Sequence, residues 1–191
     1  ATRMNVKVMS NSWGGGGYSR TMFDAIKEAI DKGILFVAAA GNESNNNDTS
    51  PSYPASYQLD NVISVAASDN RDAKASFSNY GARSVHLAAP GVNIYSTVPM
   101  NKGGYATFSG TSMACPHVAG AAALYWSQNK NATYADVKAR LLATVEPVRG
   151  LKRKTLTGGR LNVYNAIMNI VPDRGEPPAD AWKPMAVSVE S

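Results

Sequence analysis

The run FSGTSMACPHVAGAAAL, residues 108–124, puts Ser112 between a glycine-flanked polar stretch and an apolar, alanine-rich one. A serine at that junction stands in the first turn of a helix, where unpaired backbone N–H groups and the positive helix end receive a developing anion. Its hydroxyl is a weak nucleophile unless a base lies beside it. An ordinary helix-capping serine has the same local sequence, so the reading depends on what else converges there. On this reading Pro116 falls in the first turn, where its missing N–H costs nothing. Asn42 closes AAAGN with a carboxamide donor of the kind that stabilises an oxyanion; a turn asparagine after a glycine is the alternative. NSWGGGG, residues 11–17, offers backbone free to pair with an extended peptide, or simply a flexible turn. SYPASY places Pro54 in a tight turn that a cis bond can serve.

These residues need a scaffold. NVKVMSNSW reads as a buried strand entering the glycine-rich loop. SRTMFDAIKEAIDKG has apolar residues at Met22, Phe23, Ile26, Ala29 and Ile30, which is helical spacing, with Ser19 or Thr21 as cap and Gly33 as stop. ILFVAAA then suits a strand covered on both faces. Strand, helix and strand in that order predict a βαβ unit and a parallel sheet, hence an α/β fold. A long polar loop follows, then the strand VISVAAS and short strands around SVHLAAPG, VNIYSTV and YATFSG. A buried helix is expected from Ser112 to about Trp126, another over TYADVKARLLAT with Thr133 and Asp136 as a capping pair, and a last one over NVYNAIMNIV. The tail from residue 172 onward is proline-rich and reads as a linker or loose terminus.

Composition narrows the classes. The chain has 191 residues, 44% of them hydrophobic and 17% charged, with a net charge of +5. That is one ordinary globular domain, with no apolar run long enough to span a membrane. The one dense basic cluster, Arg149, Lys152, Arg153, Lys154 and Arg160, lacks aromatic interleaving and any nucleic-acid motif, so it reads as a solvated loop and no nucleic-acid partner is expected. The single cysteine, Cys115, excludes an internal disulfide and a cysteine-based metal cluster. It reads as a small buried hydrophobe, close enough to Ser112 for mercurial sensitivity to be worth testing. Sequons occur at Asn42, Asn47 and Asn131; a glycan on Asn42 would destroy the oxyanion site, so that one reads as chance.

Together, GTSMACPHVAGAAAL, NSWGG, AAAGN, YPASYQLDNVISVAAS, ASFSNYG and LAAPGVNIYSTV resemble the subtilisin-like serine proteases, the subtilases, in content and order over roughly residues 5 to 170. The resemblance implies a three-layer subtilisin-like α/β fold with a mostly parallel sheet, and Ser112 as nucleophile. Asn42 is implied as the oxyanion donor beside the Ser112 N–H. Ser12, Trp13 and Gly14 become one wall of the primary specificity pocket, and Ala39, Ala40 and Gly41 the other. An apolar, roomy pocket implies large hydrophobic or aromatic P1 residues. The substrate is a protein or peptide, no cofactor enters the chemistry, and the expected setting is extracellular. Residues 1–171 are read as the C-terminal portion of the catalytic domain.

The base is the difficulty. His117 is five residues beyond Ser112, and the two point about 140° apart on one helix; the resemblance makes His117 structural. His86, in SVHLAAPG, stands where the family usually has an aspartate that helps to bind a structural cation with the carbonyls of Ala55, Tyr57 and Val62. Histidine is a poor ligand for a hard, oxygen-seeking cation, so no calcium is expected there, though a full-length enzyme can hold it elsewhere. The family's triad runs Asp, His, Ser along the chain, and its aspartate and histidine motifs are both absent here. The expectation is therefore that both lie in an upstream portion, which becomes this chain's partner. A sheet cut in that way exposes an apolar edge and predicts marginal stability for the chain alone. Two other readings stand beside it. One is a non-catalytic binding or scaffold protein on the same fold. The other is an esterase or lipase, which needs G-x-S-x-G and a later histidine; GTSMA and His117 do not supply them.

Overall fold

The computed structural model describes residues 1–173, so most of the proline-rich tail lies outside the described residues. The apolar runs form the strands β1 (Val8–Asn11), β2 (Leu35–Ala39), β3 (Val62–Ser68) and β4 (Leu87–Pro90). They pair in that order, all parallel, because helix α1 (Arg20–Asp31) and the later loops carry the chain back to the same sheet end each time. The antiparallel hairpin of β5 (Ile94–Thr97) and β6 (Tyr105–Phe108) stands apart from the sheet and leads into the long helix α2 (Thr111–Gln128). Helix α3 (Tyr134–Ala143) follows. The two-residue strands β7 (Glu146–Pro147) and β8 (Gly159–Arg160) then extend the sheet to the order β1-β2-β3-β4-β8-β7, before the short helix α4 (Val163–Met168). Sequence pattern did not reveal β7 and β8, since two residues carry no periodicity.

Capping follows local chemistry. The Ser19 hydroxyl accepts the Met22 N–H at 3.3 Å to begin α1. Thr133 and Asp136 form the expected reciprocal box at the start of α3, with Asp136 taking the Thr133 N–H at 2.8 Å. The Tyr53–Pro54 bond is cis.

Three layers result. Leu35, Val37, Ala39, Ile63, Val65, Ala67, Leu87 and Ala89 point to one face, where they meet Ala114, Cys115, Val118, Ala119, Ala121, Ala122 and Trp126 of α2 and the inner faces of α3 and α4. Phe36, Ala38 and Val62 point the other way, onto Ile26 of α1 and the Tyr57 loop. The alternation is the period-2 signature of strands buried on both sides. Alanines along α2 let the helix lie close against the sheet, so its start is set by the strand ends beneath it.

One side of α2 is different. Pro116, His117, Gly120, Ala123, Leu124 and Ser127 recur at helical spacing and are all exposed, Leu124 to 46%. Among the described residues β1 pairs only with β2, leaving its other edge open. A cavity of about 520 Å³, lined by Lys7, Val8, Ala123, Trp126, Ser127 and Lys130, lies between that edge and this side of the helix.

The close packing of α2 is testable with one substitution at neighbouring positions. Ala122→Val overfills a fully buried site and should lower stability by about 1–3 kcal/mol in urea denaturation. Ala123→Val, on the exposed side, should cost only its helix propensity, about 0.5 kcal/mol. Equal losses would mean that the helix does not lie tightly on the sheet.

Candidate active site

Ser112 is the second residue of α2 and half-buried. Its position follows from two glycines. The Gly110 N–H bonds the Gly91 carbonyl at 2.8 Å, and a Cβ on Gly91 would come within 2.6 Å of Ala67 Cβ and 2.8 Å of the Gly110 carbonyl oxygen. Only a residue without a side chain allows the segment entering α2 to lie so close to the end of β3. Among the described residues the Ser112 N–H makes no hydrogen bond, as expected for an N–H in a helix's first turn.

Asn42 arrives from the end of β2. Gly41, at φ +112°, turns the chain through a conformation that favours glycine, and a Cβ there would collide with the Asn79 side chain at 2.2 Å. The Thr111 N–H and the Thr111 hydroxyl both donate to Asn42 Oδ1, each at 2.9 Å. Two donors on one oxygen fix the carboxamide orientation and leave Nδ2 free to donate. From the position of a Cβ on Gly110, Ser112 N lies 3.6 Å away and Asn42 Nδ2 3.7 Å away. Met113 Sδ is also 3.7 Å from that point, and the two N–H donors within 4 Å of it are a pair of the kind an oxyanion site uses.

Ser12, just beyond β1, faces Ser112 directly. The Ser112 hydroxyl donates to the Ser12 carbonyl at 3.1 Å, and the Ser12 hydroxyl donates to the Ser112 carbonyl at 2.8 Å. Asn11 pairs with Ala38 in the sheet, Ser12 bonds Ser112, and the Gly41 N–H bonds the Thr111 hydroxyl, so the C-terminal ends of two adjacent strands both reach the start of α2. Ser12, Trp13 and Gly14 are exposed, while Ala39 and Ala40 are buried. The Gly15 N–H bonds the Tyr53 carbonyl at 3.2 Å and ties the segment after β1 to the Pro54 turn. The resemblance's candidate residues therefore gather at one end of the sheet.

Neither histidine reaches Ser112. His117 Nδ1 donates to the Met113 carbonyl at 2.8 Å on its own helix. His86 Nδ1 accepts the Ser64 N–H at 3.0 Å, and burial, with the Lys138 charge nearby, holds its pKa well below the usual histidine range. Lys138 Nζ donates to the carbonyls of Asp60 at 3.0 Å and Val62 at 2.8 Å, with burial lowering its pKa to about 8. An ammonium already seated on the Val62 carbonyl, beside an imidazole in place of a carboxylate, does not fit a hard cation.

One expectation needs correction. Pro116 is the sixth residue of α2, past the first turn, so its missing N–H does remove a helical bond. Cys115 is fully buried, as expected; its thiol donates to the Val37 carbonyl at 3.4 Å, and burial raises its pKa. Of the sequons, Asn47 is buried with Nδ2 on the Ala40 carbonyl at 2.8 Å, whereas Asn131 is exposed.

The subtilase family model matches residues 1–166. The chain belongs to the subtilase family. Thermitase from Thermoactinomyces vulgaris is 43% identical over 167 residues, 87% of this chain and 56% of its own length. Subtilisin-like protease 2 of Plasmodium falciparum is 37% identical over 169 residues, 84% of this chain and 12% of its own length. The extracellular basic protease of Dichelobacter nodosus is 39% identical over 170 residues, 84% of this chain and 27% of its own length. This subtilase chain thus spans between an eighth and somewhat over half of these relatives.

Sequence reading did not single out Thr111, Gly91 or Asn79. Asn79 Oδ1 accepts the N–H groups of Glu43 and Asn45, both at 2.9 Å, holding the loop that begins at Asn42. The signal for Thr111 was its place between a glycine and the candidate nucleophile; its partners lie about seventy positions away and were not readable. Thr111 is fully buried, and its hydroxyl also accepts the Gly41 N–H at 3.2 Å. Isosteric Thr111→Val strips both bonds and should destabilise the chain by about 1–3 kcal/mol in urea, with Thr111→Ser retaining most of the stability. A neutral Thr111→Val would mean that the clamp on Asn42 is not formed.

Proposed function

We propose that this subtilase chain carries the nucleophile and oxyanion site of a serine endopeptidase, with Ser112 as nucleophile. The observation that carries the reading is the pair of donors, Ser112 N–H and Asn42 Nδ2, both within 4 Å of one point at the positive end of α2. In the reaction, Ser112 Oγ bonds to the scissile carbonyl carbon and passes its proton to a histidine. The tetrahedral oxyanion lies between the two donors. The C–N bond breaks as the same proton goes to the leaving amine, and water then hydrolyses the acyl-enzyme. No cofactor enters these steps. In subtilisin, losing the corresponding asparagine costs about 10²–10³ in kcat, a magnitude measured on that relative. The small side chains of Ala39 and Ala40 favour a large apolar P1 residue. The name of the Dichelobacter relative supports an extracellular setting.

The histidine and its aspartate come, on this reading, from an upstream portion of the same catalytic domain. It would cover the exposed side of α2 at Pro116, Gly120, Ala123 and Leu124 and pair with the open edge of β1. Support comes from α2 itself, which carries no Asp, Glu, Lys or Arg and leaves Ala123 and Leu124 exposed on this side. The hollow between the helix and the strand edge supports it further.

A second reading, a binding module that keeps the fold without catalysis, is favoured by one observation: the Ser112 hydroxyl donates to a carbonyl and not to a base. Fluorophosphonate labelling followed by intact mass separates the two. The full-length protein should label and its Ser112→Ala variant should not, while residues 1–191 alone should stay unlabelled. A full-length protein that never labels would decide for the binding module.

Gly120 tests the covered face. A Cβ there meets nothing within 4 Å, so Gly120→Ala should stabilise residues 1–191 by about 0.5–1 kcal/mol. In the full-length protein the same change should destabilise, since the methyl would push against the covering segment. Stabilisation in both would refute docking at this face.

A further inference from the structure

In an α-helix the carbonyl of residue i accepts the N–H of residue i+4. For Ser112 that residue is Pro116, which has no N–H and whose ring crowds the carbonyl four residues back. Covalent structure alone therefore leaves the carbonyl of the candidate nucleophile without its helical partner, at the residue whose placement matters most. The Ser12 hydroxyl takes that place, donating to the Ser112 carbonyl at 2.8 Å from the end of β1. β1 is itself pinned under the helix. Asn11 Nδ2 and Cys115 Sγ both donate to the Val37 carbonyl, at 3.1 and 3.4 Å, and Ser10 Oγ lies 3.8 Å from Cys115 Sγ.

We infer that Ser12, beyond forming a pocket wall, is a positioning residue for Ser112: its hydroxyl replaces the hydrogen bond that Pro116 removes. This rests on the reading of Ser112 as nucleophile. The first turn of α2 is thereby released from the rest of the helix and registered to the strand that forms the substrate wall. Ser112 N–H and Oγ are then placed relative to β1. The bond from Ser112 Oγ to the Ser12 carbonyl is given up when a base takes that proton; the bond from Ser12 Oγ to the Ser112 carbonyl is not, so it is the one that positions.

The test is a double-mutant cycle in the full-length protein. Ser12→Ala, Ser12→Thr, Pro116→Ala and the Ser12→Ala/Pro116→Ala pair are compared by rate of fluorophosphonate labelling and by kcat and KM on a peptide substrate, with urea denaturation to correct for folded fraction. Ser12→Ala should slow labelling and kcat about tenfold, the kinetic equivalent of one lost hydrogen bond, with KM little changed. Ser12→Thr should restore the rate. Pro116→Ala supplies an N–H to the Ser112 carbonyl, so Ser12→Ala should cost little in that background. An additive cycle, or a Ser12→Ala variant that loses stability but labels at the wild-type rate, overturns the positioning role alone. A wild type that does not label overturns the nucleophile reading, and the positioning role falls with it.

Discussion

The first turn of α2 carries polar groups that the helix cannot pair, and the surrounding fold is arranged around them. The N–H groups of Met113 and Ala114 reach the Gly110 carbonyl, but those of Thr111 and Ser112 have no preceding helical carbonyl to meet. The carbonyl of Ser112 has lost its own partner to Pro116. Asn42 at the end of β2 answers the N–H of Thr111, and Ser12 at the end of β1 answers the carbonyl of Ser112. Among the described residues nothing takes the N–H of Ser112. Pairing the helix start with two strand ends thus brings a carboxamide N–H and the backbone N–H of Ser112 close to one point.

That arrangement depends on parallel strands. When β1 and β2 run the same way, their C-terminal ends emerge side by side, in register from Val8 with Leu35 to Asn11 with Ala38. Active sites of open parallel sheets lie at such ends because the loops there converge. The alanines of α2 complete the geometry, since larger side chains would lift the helix from the sheet and part Ser112 from Ser12 and Asn42.

Much of this was legible in the residues. The βαβ order, the buried helix after Ser112, the Ser19 cap and the Thr133–Asp136 box each follow from patterns a few residues long, and the structure shows them. The gathering of Ser12, Asn42 and Ser112 came from resemblance, not from spacing. Pro116 is the instructive failure: with the helix read from Ser112, the proline was counted within the first turn, and its missing N–H looked harmless although it is the sixth residue of α2. Cys115 was read correctly as a small buried side chain, because an apolar, alanine-rich helix leaves it little but the core to face.

What the sequence determined by itself is local and covalent: where apolar periodicity demands a strand or helix, where only glycine fits, and that Pro116 can donate nothing to Ser112. What the tertiary structure alone decided is which group makes good that loss. Ser12 stands one hundred positions from Ser112, and Asn42 sixty-nine from Thr111. Periodicity and capping are settled by neighbours within a turn or two of the chain. Hydrogen bonds across such separations are settled by strand order, register and the closeness of helix to sheet, which no short stretch of residues specifies.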